Sequence, residues 1–149
     1  MPGWRVRLAS LAAAGGFLAI ALGIRLLASG DGVLDSSGVL QQHSGTALYA
    51  SMVYAGVFVL APRVTPVVAG VVAVAFCWLV ELLQLTGIPA ALSERSVIAR
   101  LVLGVQFDAT DLAWYPVGVL PLVLMHLGID RWRRYRRDQQ PTAAGTAHT

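Results

Sequence analysis

At 149 residues, 56% hydrophobic and only 13% charged, with mean hydropathy +0.67, the chain departs from soluble domains, which run at about 45–50% apolar and about 25% charged, and falls in the membrane class. Its length suits one compact bundle rather than two domains. A single cysteine, Cys77, excludes an intrachain disulfide and a thiolate metal cluster, and the net charge of +3, carried by eleven arginines and no lysine, matters through where it sits.

A membrane-crossing helix needs about 20 apolar residues. The first such run covers residues 8–28 and is interrupted only by Arg25. Arg5 and Arg7 precede it as the charged region of a signal peptide would, but the run exceeds the ~7–15 residues of a signal core and reads as a span. A polar, glycine-rich loop follows at 29–38. The second run is 46–61. The turn PRVTP, Pro62 to Pro66, leaves a proline placed to start the third run, 66–85. In the third loop, Ser93 is positioned to cap a helix starting at Glu94. Val97, Ile98, Leu101 and Val102 then share one face, and Gly104 stops it. That predicts a short amphipathic helix at the interface or dipping back into the bundle. Asp108 and Asp111 have capping-box spacing at the head of the fourth run, 111–129. RWRRYRR closes the ordered part, with Trp132 and Tyr135 suited to an interfacial belt. The expected fold is all-α: a four-transmembrane-helix bundle with a short amphipathic helix in the third loop, forming one domain over 1–137, with a disordered tail at 138–149.

Arginine placement sets an orientation. Arg5 and Arg7, then Arg63 in the second loop, then five arginines from Arg131 to Arg137 fall on one side of a four-span chain, while the first loop holds only Asp31 and Asp35. The positive side faces the cytoplasm. Both termini are therefore expected inside, with the first and third loops outside. The basic tail serves as a topology anchor, with anionic lipid as the sharper alternative; nucleic acid is not an expected partner.

Polar residues inside spans are costly and mark function by default. Arg25 lies near the outer end of the first span, Tyr49 one turn into the second, Glu81 and Gln84 in the last turns of the third, and Asp111 at the start of the fourth. Arg95 lies on the outer loop. These segments deliver polar groups to one outer layer. Glu81 and Gln84 share a helix face, and Arg25 or Arg95 is a candidate partner for the carboxylate. Three readings stay open: hydrogen-bonded glue between helices, a site for a polar or anionic ligand, and catalysis by Glu81 or Asp111 as acid or base. The catalytic parts are few. His43 sits in the first loop, His126 near the other end of the fourth span, and His148 in the tail, and no metal, nucleophile or phosphate-loop motif is present. A binding module is favoured over an enzyme, with no metal or organic cofactor indicated.

The order Glu81-x-x-Gln84, Arg95, Asp111-Leu-x-x-Tyr115-x-x-Gly118 resembles the VanZ-like pattern, with Tyr115 where that pattern has asparagine. With ALYASMVY (Ala47 to Tyr54), VELLQL (Val80 to Leu85), LVLGVQF (Leu101 to Phe107) and DLAWYPVG (Asp111 to Gly118), the chain more closely resembles the bacterial domain-of-unknown-function family 2809, over roughly residues 15 to 128. Thr46 follows Gly45 where that family often has an aspartate. The resemblance implies a small four-helix integral membrane protein, with a bacterial inner membrane as its expected location, and no particular activity. VanZ-like proteins are associated with glycopeptide resistance and the cell envelope. The expected partners are the lipid bilayer and an anionic lipid or lipid-linked headgroup; the sequence leaves the oligomeric state open.

Overall fold

The computed structural model describes residues 3–28, 39–104 and 106–139. The first loop and the tail from residue 140 lie outside the described residues, as does the side chain of Arg25. Among the described residues, six helices follow in order: α1 (Gly3–Ala28), α2 (Val39–Leu60), α3 (Pro66–Gln84), α4 (Ile88–Ser93), α5 (Val97–Leu103) and α6 (Asp111–Asp138). Among the described residues there is no strand. Three of these described helices, α1, α3 and α6, are long and apolar enough to cross a membrane. The second expected span, 46–61, falls in α2, which has 22 residues but a polar head reading VLQQHSG.

Local chemistry sets the helix ends. Thr65 accepts the Val68 N–H and Pro66 opens α3, so a side-chain cap and a proline that needs no donor start the helix together. Gly87, at φ 73°, separates α3 from α4, a conformation that only glycine adopts cheaply. The loop differs from the single helix expected from Glu94. Ser93 ends α4, and its hydroxyl donates to the Gly104 carbonyl. A turn intervenes, and Ser96 takes the capping role by accepting the Ala99 N–H. Proline in the first turn of α4 gives the segment an earlier start than the sequence reading allowed. Helix α2 likewise begins at Val39 rather than near Thr46, because polar residues at a helix end interrupt hydropathy without interrupting the helix.

The core is built from stripes of residues four apart: Ala50, Tyr54 and Phe58 on α2; Ala69, Ala73 and Cys77 on α3; Tyr115 and Val119 on α6. Such spacing places side chains on one helix face. Small residues permit close approach, as is usual between membrane helices. A Cβ at Gly118 would sit 2.1 Å from the Ala47 carbonyl oxygen, so only glycine lets α6 lie against α2 there. Contacts between Thr46 and Asp111 at one end and Tyr54 and His126 towards the other make α2 and α6 parallel, with α3 antiparallel to both. Helix α1 packs on α2. The outward face of α3, with Val67, Val71, Leu79 and Leu82, is exposed and apolar, as a surface against lipid chains requires.

Pro116 and Pro121 lie inside α6. Proline lacks the N–H that would bond the carbonyl four residues back. For Pro116 that carbonyl is Leu112, and the Trp78 indole N–H fills the position at 2.9 Å. A side chain of α3 thus replaces a backbone donor of α6.

Candidate functional site

Glu81 is the centre of the polar layer. It is 1% exposed, on the same α3 face as Ala73 and Cys77, one turn beyond the apolar part of that stripe. Both carboxyl oxygens are engaged. The Asp108 backbone N–H donates to Oε1 at 2.6 Å, and the Tyr115 hydroxyl donates to Oε2 at 2.7 Å. One side chain therefore ties α3 to the connection before α6 and to α6 itself. Burial without such partners would cost several kcal/mol, on the order of 2–7 for one unpaired polar group.

The Asp108 geometry is local. Its carboxylate accepts the Thr110 N–H at 2.8 Å, and its carbonyl accepts the Asp111 N–H. This turn aims the Asp108 N–H at Glu81 and starts α6. Asp111, in the first turn of α6, accepts from the Thr46 hydroxyl at 2.9 Å and so joins α6 to α2. His43 stacks on Trp114 at a centroid distance of 4.8 Å, at the same end.

The loop helices close over this end. The Tyr49 hydroxyl donates to the Val102 carbonyl at 2.8 Å, and the Gln84 amide nitrogen donates to the Leu103 carbonyl at 2.7 Å. Gly104 follows at φ 68°, where a Cβ would meet the Gln84 nitrogen at 2.6 Å. A carbonyl only accepts, so Leu103 fixes which way the amide points. Gln84 Oε1 is left buried with no hydrogen-bond partner, the one such side-chain atom among the described residues. On α5, Val97 and Ile98 are 75% and 74% exposed, so this part of the expected apolar face is turned to the surface, while the Leu101 side chain lies outside the described residues.

Of the residues expected at the site, Tyr49, Glu81, Gln84 and Asp111 occupy one end of the bundle. Arg95 is exposed in the turn between α4 and α5. The two hydrogen bonds to the Glu81 carboxylate come from an amide and a phenol rather than from a guanidinium. The Arg25 side chain lies outside the described residues. The sequence reading did not pair Thr46 with Asp111 or Tyr115 with Glu81. A signal existed for the second: Tyr115 is four residues after Asp111 and shares its helix face. The Asp108 amide carried none, because a backbone donor has no letter in the sequence.

A family model described as a protein of unknown function (DUF2809) matches residues 36–119, more than half the chain. The chain belongs to that family. The DUF2809 match spans α2 to the first turns of α6 and so takes in the whole described polar layer. Comparisons with curated proteins and with solved structures gave no match.

Proposed function

We propose that this DUF2809 member is a four-span protein of a bacterial inner membrane that holds a polar or anionic headgroup of an envelope component at the end of the bundle closed by α4 and α5. The observation that carries this is Gln84 Oε1, a buried acceptor without a partner inside an otherwise bonded layer. Unsatisfied buried groups are few in native proteins, and each calls for an explanation. Here a ligand donor is the explanation offered. Arg95 and Arg25 are the candidate anion contacts, with Asp111 and Tyr49 orienting them. Glu81 is a positioning group, sealed from ligand by its own hydrogen bonds. If the ligand is also a substrate, acid–base work falls to the part-exposed Asp111. The VanZ-like resemblance supports an envelope setting, and the arginine distribution supports cytoplasmic termini.

The completeness of the Glu81 bonds favours a second reading, in which the layer only locks the bundle. Native mass spectrometry of gently solubilised protein, with melting curves, separates the two. Binding predicts a headgroup-bearing mass on wild type that is lost in Gln84→Met while the melting temperature stays within a few degrees. No bound mass, with a sharp melting loss in Glu81→Ala, which leaves the Asp108 N–H and the Tyr115 hydroxyl without their acceptor, makes the layer a lock.

A further inference from the structure

The opposite end of the molecule carries a second polar recess that the site above does not use. His126, Asp130, Arg133 and Arg137 fall at i, i+4, i+7 and i+11 on α6, one stripe of the helix. They line a pocket of about 600 Å³ against the start of α1 and the α2–α3 turn. The Tyr54 hydroxyl meets His126 Nδ1 at 3.2 Å, and Phe58 packs on the same ring at 5.2 Å, so the floor is built by core residues of α2. An apolar groove of about 360 Å³ continues from this recess between α1 and α6, sharing Val6, Phe58, His126 and Arg133 with it. Ala9, Ala13 and Phe17 line one wall, and Leu122 and Met125 line the other.

Depth and length suit one kind of occupant. Trp4 and Trp132 are exposed at this end, where indoles sit at headgroup level. Arg136 lies over Trp132 at 4.0 Å and is turned to that ring, whereas Arg133 and Arg137 line the recess. From Arg5 to Phe17 the groove follows α1 over a rise of about 18 Å at ~1.5 Å per residue, close to half of a ~30 Å hydrocarbon core. A cationic recess at phosphate level, opening into an apolar channel one leaflet deep, matches a molecule with an anionic head and an acyl tail. Basic pockets between helices on the cytoplasmic side bind such heads.

We infer that this recess and groove form a binding site for a diacyl anionic phospholipid with a hydroxylated headgroup, of the phosphatidylglycerol type. Arg133 and Arg137 hold the phosphate. Asp130 accepts, and His126 exchanges, hydrogen bonds with the glycerol hydroxyls. One acyl chain lies between α1 and α6.

The test uses the full chain in phosphatidylcholine bicelles, with and without phosphatidylglycerol at a fixed mole fraction, read by native mass spectrometry and melting temperature. Wild type should retain phosphatidylglycerol adducts and melt higher in its presence. Arg133→Gln/Arg137→Gln should lose about thirtyfold or more in adduct retention, because each arginine removed takes with it charge-assisted hydrogen bonds to the phosphate. Arg131→Gln/Arg134→Gln removes the same charge off the stripe and should lose no more than roughly threefold. Ala13→Phe, which fills the groove without touching charge, should also release the lipid. Equal losses in the two arginine pairs would reduce the effect to diffuse attraction and overturn the site. Retention undiminished in Ala13→Phe, or equal protection by inorganic phosphate alone, would overturn the diacyl occupant.

Discussion

Removing one hydroxyl tests whether Glu81 holds the bundle together. Tyr115→Phe keeps the ring, which is 5% exposed and part of the core, and deletes the donor to Glu81 Oε2. Leaving a buried acceptor unsatisfied costs about 1–3 kcal/mol. Hydrogen bonds between membrane helices average only ~0.6 kcal/mol, with a maximum near ~1.7, because the unfolded reference finds other partners in the bilayer. Glu81 is the most enclosed polar side chain among the described residues, so its loss belongs at the upper end, about 1–2 kcal/mol. Glu81→Gln should cost less, under about 1 kcal/mol, because the amide oxygen still accepts from Asp108 and the amide N–H can donate to the phenol. The double variant should be non-additive by about 0.5–1.5 kcal/mol. The assay is reversible unfolding in mixed micelles with rising denaturing detergent, followed by circular dichroism. The reasoning fails if Tyr115→Phe unfolds within about 0.3 kcal/mol of wild type, or if the two changes add within about 0.3–0.5 kcal/mol.

Other variants address backbone and packing. Gly118→Ala should destabilise by about 1–3 kcal/mol or more, because its Cβ would overlap the Ala47 carbonyl, while Gly56→Ala, which meets nothing within 4 Å, should be neutral or stabilising; unfolding midpoints compare them. Gly104→Ala should cost about 1–2 kcal/mol for its left-handed backbone and displace Gln84, readable as faster hydrogen exchange across α5. Trp78→Phe frees the Leu112 carbonyl, and its expected cost of ~0.6 to ~1.7 kcal/mol appears in the same unfolding assay.

The sequence made some of this structure legible and concealed the rest for physical reasons. Pro66 behind Thr65 announced the start of α3, and Gly104 announced the end of α5, because both act through their own backbone conformations. Glu81 and Gln84 stood out because a carboxyl and an amide are conspicuous in an apolar run. Two of their partners did not stand out, since a backbone N–H and a backbone carbonyl are common to every residue. The head of α2 was hidden because hydropathy reports the environment of a helix, not its length. Ser93 and Ser96 are both competent caps, and only the turn between α4 and α5 decides which one is used. Tyr54 and His126, far apart in the chain, meet only because α2 and α6 run parallel.

The position of Glu81 in the chain has a consequence for how the protein is made. Both of its donors, at residues 108 and 115, lie downstream of it. Synthesis proceeds from the N-terminus, so α3 is complete before either donor exists. A nascent chain ending in the loop after α3 carries a carboxyl with no native partner. Arrival of α6 silences it and, through Trp78 and Leu112, settles the proline-interrupted helix in the same step. The last helix is thus the one that commits the assembly. A chain shortened before residue 108 should persist as a substrate for membrane quality control rather than as a smaller version of the same protein.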